Sequence, residues 1–193
     1  GQVQAAGPRV IVVDTNLIAY CWLKGPQTEA AQAVRAKDPD WHVPILWRSE
    51  FRSVLSGYMR HGTFSLREAQ HIMSTAETEL ADAEHEIDSR LVLELAQQSK
   101  LSAYDCEYVV LARVLGAALI TADKAVLRAA PGVAMNMQEY LQAGTTSNGA
   151  KKKRAPLVPV YAVKGKGKSG LVAGLNPLSN KAMLDAVDSD PMR

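Results

Sequence analysis

Apolar residues along the chain follow two rhythms, short solid runs and longer stripes spaced for one face of a helix. Val10-Ile11-Val12-Val13 is unbroken and β-branched, as a strand buried on both sides of a parallel sheet reads. A helix is predicted from Asn16 through Ile18, Cys21 and Trp22, ending at Gly25-Pro26. A second helix runs from Thr28 to Ala36, and His42-Val43 makes a brief strand. Pro44 opens a helix over about Ile45 to Arg60, with Trp47, Phe51, Val54, Leu55 and Tyr58 on one side and His61-Gly62 as its stop. Ser65 with Glu68 three residues on forms a capping box for a helix reaching about Leu80.

The later half repeats the alternation. Glu84 to Ile87 is a weakly patterned third strand, Asp88 or Ser89 starts a helix to Lys100, and Ser102 caps another to Leu115-Gly116. Strand Ala117–Thr121, helix Lys124–Ala130, strand Val133–Met135 and helix Gln138–Leu141 complete the order. Strands alternating with helices predict an α/β fold around a parallel sheet.

Charge divides the chain. Residues 1–144 carry 13 Lys/Arg against 17 Asp/Glu, a net of −4, whereas 145–193 carry 9 against 3, a net of +6. The expectation is one domain over 1–144 followed by a basic, Gly/Lys-rich extension over 145–193. In that extension Thr145 to Gly149 reads as a linker, Lys151-Lys152-Lys153-Arg154 as a basic run, and Lys164 to Gly170 as a stretch without apolar side chains to bury. Met183, Leu184 and Val187 behind Ser179 make a short apolar stripe, so a docking helix is expected over 179–188. The extension either recruits a polyanion through its lysines or folds onto the domain, bringing Lys164 or Lys168 toward its acids. Two cysteines, Cys21 and Cys106, without close spacing fit a reducing compartment. No run approaches a membrane span and Gly1-Gln2-Val3-Gln4 has no signal-like pattern, so a cytoplasmic protein without a membrane partner is expected.

Four acids stand where solvation alone does not explain them. Asp14 and Asp123 close strand-like runs, at the sheet end where open α/β proteins place their crevice. Glu50 lies on the buried stripe, with Leu46, Trp47 and Val54 as helical neighbours, and Asp105 lies among Leu101, Tyr108 and Val109. Singly each has a plain reading: Asp14 and Asp123 as helix N-caps, Asp105 as a partner of its helix dipole. Together they would repel, and a divalent cation relieves that repulsion. Oxygen-only ligands point to Mg²⁺ or Mn²⁺ rather than zinc.

With its context, each acid resembles a known motif. Val10-Ile11-Val12-Val13-Asp14-Thr15-Asn16, Arg48-Ser49-Glu50-Phe51, Leu101-Ser102-Ala103-Tyr104-Asp105 and Leu119-Ile120-Thr121-Ala122-Asp123 resemble a PIN domain, and within that family the VapC-like toxins of bacterial toxin–antitoxin pairs. The resemblance spans about Arg9 to Gln142 and implies a three-layer fold with helices on both faces of a mainly parallel sheet. By position, Asp14, Glu50, Asp105 and Asp123 match the family's acidic metal-binding, catalytic residues, and Thr15, Asn16 and Thr121 its polar supporting residues. The resemblance further implies RNA as substrate, a homodimer, and a cognate antitoxin laid across the site. The extension after Gly144 has no counterpart in the compact toxin.

The most direct reading is therefore a metal-dependent endoribonuclease, as a toxin cleaving tRNA or another structured RNA. The alternatives are an RNA-processing PIN nuclease and a catalytically inactive module that binds RNA or a partner. Arg48, Arg52, Lys124 and Arg128 are candidate RNA phosphate contacts, and read equally as solvated helix ends. Gly165-Lys166-Gly167-Lys168-Ser169 misses a phosphate loop because Ala162 stands where Gly is required. His42, His61, His71 and His85 lack helical pairing and are expected at surfaces or helix ends rather than on zinc. Cys106 is expected to pack in the core rather than act as a nucleophile.

Overall fold

A computed structural model describes residues 10–143. The docking helix expected over 179–188 and the basic runs of the extension lie outside the described residues.

The first strand, β1 (Ile11–Val13), is buried along its whole length. Ile11 and Val13 enter one hydrophobic cluster and Val12 the other, so a strand of three residues seeds both cores. Five parallel strands form the sheet in the order β3-β2-β1-β4-β5, the others being β2 (Trp41–Pro44), β3 (Glu84–His85), β4 (Ala118–Ile120) and β5 (Ala134–Met135). Both outer strands are two residues long. The chain builds outward from β1 on one side, then crosses to β4 on the other, which makes the seam between β1 and β4 the topological switch point.

Helices cover both faces, as the three-layer expectation requires. One cluster packs α1 (Thr15–Trp22), α2 (Thr28–Lys37), α3 (Trp47–Arg60), α4 (Leu66–Leu80) and α8 (Met137–Gln142) around Trp22, Trp41, Trp47 and Phe51, each 0 or 1% exposed. The other packs α5 (Ser89–Gln98), α6 (Ala103–Leu115) and α7 (Lys124–Ala129) through Val92, Leu95, Val109 and Val126.

Helix starts follow cap chemistry. Asp14, Ser65, Asp88, Ser102, Asp123 and Asn136 each accept a backbone N–H of the turn they open. The boxes Ser65/Glu68 and Asn136/Glu139 are reciprocal. Helix α6 ends where Gly116 turns left-handed at φ 60°. Several boundaries differ from the expectation by a residue or two. Because Asp14 is the cap, α1 begins at Thr15, one residue early. Helix α3 begins at Trp47 because the Ile45 N–H bonds the His85 carbonyl at 2.9 Å, holding Ile45 to the sheet edge. Strand β3 stops at His85 rather than Ile87. No helix among the described residues is long and apolar enough to cross a membrane.

Candidate metal centre at the sheet switch point

Register carries Asp14 and Thr121 to the same level. Val13 pairs with Ile120, so the residues that follow β1 and β4 emerge side by side at the carboxyl end of the sheet. Asp14 is only 5% exposed. Its Oδ1 accepts the Leu17 N–H at 2.8 Å and its Oδ2 accepts the Thr121 hydroxyl at 2.6 Å. Burial pushes its pKa up to about 6 against the pull of those hydrogen bonds and of the Ala122 N–H, and the Asp123 charge adds to the rise.

Glu50 comes from the first turn of α3 and is half-buried. Its Oε2 accepts the Thr15 hydroxyl at 2.7 Å and the Tyr108 hydroxyl at 2.5 Å, while Thr15 Oγ1 and Tyr108 Oη lie 2.7 Å apart. Its other oxygen, Oε1, makes no hydrogen bond among the described residues. Burial lifts the Glu50 pKa to about 7, outweighing the Tyr108 and Thr15 hydrogen bonds, with the Asp14 and Asp105 charges adding to the rise.

Asp105 and Asp123 sit at helix starts. Asp105 Oδ2 accepts the Ser102 hydroxyl at 2.6 Å, and Asp123 Oδ1 accepts the N–H groups of Ala125 and Val126 at 2.6 and 3.1 Å. The plain cap reading thus holds for Asp14 and Asp123, and it coexists with mutual repulsion: Asp14 feels Asp123, and Glu50 feels both Asp14 and Asp105. No Lys or Arg pairs with Asp14, Glu50 or Asp123 among the described residues.

The donor chemistry fits a hard divalent cation. All four side chains are oxygen donors, burial and neighbouring carboxylates raise the pKa of Asp14 and Glu50, and the buried Asn16 Oδ1 has no hydrogen-bond partner among the described residues. Geometry is less complete than chemistry. Among the described residues no three His, Cys, Asp or Glu side chains converge closely enough to hold one ion as they stand. Each acid is tied to its local partner.

The candidate phosphate contacts divide. Arg48 is fully engaged: its Nε and one terminal nitrogen grip Glu84 at 2.5 and 2.8 Å, and the other reaches Glu77 at 3.1 Å. Trp47 Nε1 joins on Glu84 at 2.7 Å, so this cluster ties α3 to β3 and engages the Arg48 guanidinium. Arg52 is exposed and, among the described residues, bonds the Arg48 carbonyl and the Ser49 hydroxyl. Lys124 and Arg128 are exposed on α7, one turn apart.

Sequence reasoning missed Tyr108, which it placed on the apolar stripe of α6; only the tertiary meeting of α1, α3 and α6 reveals its hydroxyl partners. It also separated His42 from His85. Their ring nitrogens meet at 2.7 Å across β2 and β3, with Asp40 3.1 Å from the far nitrogen of His42. By contrast His61 caps the end of α3 and His71 is exposed on α4, as expected. Both thiols are free and buried, Cys21 pushed up to about 12 by burial, which suits packing rather than nucleophilic chemistry.

The family described as PIN domain matches residues 11–132, from the first residue of β1 to the turn before β5. Among solved structures, the crystal structure of PAE2754 from Pyrobaculum aerophilum superposes with a TM-score of 0.55 at 20% identity, covering 73% of this chain and 92% of that one, a likeness of fold. No curated protein matches the chain.

Proposed function

Because the chain belongs to the PIN-domain family, we propose that it is a metal-dependent endoribonuclease whose centre is Asp14, Glu50, Asp105 and Asp123. The observation that carries this reading is the buried Asp14 beside Glu50, both lifted by burial and by neighbouring carboxylates, with no Lys or Arg paired to either among the described residues. Such repulsion favours binding of a cation there.

Bound Mg²⁺ or Mn²⁺ supplies Lewis acidity toward a phosphodiester and lowers the pKa of water there. The chain's own residues prepare that chemistry. Thr121 locks Asp14 through its hydroxyl and accepts the Asp123 N–H at 3.0 Å, aligning the two acids. Thr15 holds Glu50, and Asn16 offers a buried carbonyl oxygen in need of a partner. Lys124, Arg128 and Arg52 are assigned to RNA phosphates, being exposed cations without carboxylate partners among the described residues.

On this reading the protein is the toxin of a toxin–antitoxin pair, acting in the cytoplasm as a homodimer on tRNA or another structured RNA, with a cognate antitoxin as its inhibitor. The resemblance in Asp14-Thr15-Asn16 and Tyr104-Asp105 supports this. On the same reading the lysines and arginines of 145–193 recruit RNA through its phosphates. The deciding experiment is cleavage-site mapping on total cellular RNA with the purified full chain, in Mn²⁺, in Mg²⁺ and in excess EDTA. Discrete cuts that vanish with EDTA support the proposal; cuts that persist at full rate in EDTA remove the metal mechanism, and binding without cuts marks an inactive RNA-binding module.

A further inference from the structure

Glu50 reaches the centre from a helix far in sequence from the other acids, and two hydroxyls grip one of its oxygens. Thr15 belongs to the first turn of α1 and Tyr108 to the second turn of α6, so the three side chains tie three separate elements together. Tyr108 is 2% exposed and Thr15 0%. A buried phenol contributes most of its packing through its ring, so a phenylalanine would serve the core as well; the hydroxyl matters only for what it bonds. Its partners are Glu50 Oε2 at 2.5 Å and Thr15 Oγ1 at 2.7 Å.

We infer that Tyr108 is a positioning residue that, together with Thr15, clasps Oε2 of Glu50 and presents Oε1 as a one-oxygen ligand to the cation. The inference rests on the metal-nuclease reading above and names the device that readies its most remote ligand. A glutamate has three side-chain torsions, and in a half-open crevice an unclasped carboxylate would spread over several rotamers or turn toward solvent. Two donors on the same oxygen remove that freedom while leaving the second oxygen without a hydrogen bond among the described residues. Partners that orient a metal ligand in this way change affinity by about 10- to 100-fold when removed. Asp14 has its own, separate support in Thr121 and the Leu17 N–H, so the clasp acts through Glu50 alone.

The test is Mn²⁺ binding to the full chain by titration calorimetry, with no RNA present, using Tyr108→Phe, Glu50→Gln and the double variant. Tyr108→Phe is expected to weaken Mn²⁺ by about 10-fold or more while the melting transition stays cooperative. In the Glu50→Gln background the same change should cost little further affinity, because the two residues act as one unit. Thr15→Val should reproduce the loss and Thr15→Ser restore it, which keeps the test decisive should Tyr108→Phe misfold. Unchanged Mn²⁺ affinity in Tyr108→Phe and Thr15→Val, or equal losses with and without Glu50, overturns the clasp while the metal reading stands. Absence of Mn²⁺ binding by the wild-type chain overturns both.

Discussion

Thr121 Oγ1 donates to Asp14 Oδ2 at 2.6 Å and accepts the Asp123 N–H at 3.0 Å, so one hydroxyl joins the acids that end β1 and β4. Thr121 is 1% exposed, which leaves water no way to replace either bond. Thr121→Val is therefore expected to lower stability by about 1–3 kcal/mol through an unsatisfied buried carboxyl and amide, and to reduce cleavage at least tenfold. Thr121→Ser should remain close to wild type on both counts. Urea unfolding beside a cleavage assay checks the pair.

Asp14→Asn deletes a charge at nearly constant shape. An asparagine can still accept the Leu17 N–H as an N-cap, so α1 should start as before. Cleavage is expected to fall by a hundredfold or more on the order of other lost electrostatic groups, while the metal-free melting temperature rises. A variant that cuts at wild-type rate takes Asp14 out of the site; one that unfolds returns it to a purely structural cap.

The pH dependence of stability has a defined sign. Asp14 and Glu50 titrate near 6 and 7 in the folded chain, above the ordinary carboxyl range of an unfolded one. The native state thus holds protons that the unfolded state has released, so this contribution is full below the unfolded values and is lost as pH rises through 6 to 7. For the almost fully buried Asp14 the effect is on the order of 3 kcal/mol. Metal-free protein should be more stable at pH 5 than at pH 8, and Mn²⁺ should raise stability more at pH 8. Chemical unfolding at both pH values, with EDTA and with Mn²⁺, tests it; an equal or opposite slope contradicts the buried-acid picture.

Arg48 and Arg128 should behave as opposites. Arg48→Ala breaks the bidentate grip on Glu84, whose pKa the arginine lowers, and should cost about 1 kcal/mol of stability with little change in RNA affinity. Arg128→Ala should leave stability unchanged and weaken RNA binding with a shallower salt dependence. Filter binding across a salt series separates the two.

A chain ending at Gly144 removes nine Lys/Arg and leaves a body of net charge −4. RNA affinity is expected to fall, with the slope of log affinity against log salt shallower by several units. Faster cleavage after truncation would instead identify the extension as an inhibitor.

Much of this fold is written in local chemistry. Asp14 after Val10–Val13, the Ser65/Glu68 box and Ser102 before α6 are signals carried by neighbours in sequence, and the structure places elements at each. The same locality explains the acids: strand ends and helix starts are legible, and the parallel alternation dictates which end of the sheet they share. What remained hidden depends on register between distant segments. The pairing of Pro44 with His85 brings His42 onto His85, and Tyr108 reads as an apolar-stripe residue until α3 supplies Glu50. Arg48 follows the same logic, since only the short strand β3 supplies its partner Glu84. Periodicity tells which face of an element is buried and says nothing of which polar group waits there.

The two-residue outer strands limit how other chains can attach. Beyond Glu84–His85 on one side and Ala134–Met135 on the other, the described sheet offers too little ladder to template an incoming peptide by strand addition. Edge-to-edge aggregation is discouraged for the same reason. Recognition of any protein partner by this domain then falls to helix surfaces and to the acidic crevice, where side chains rather than backbone amides decide who binds.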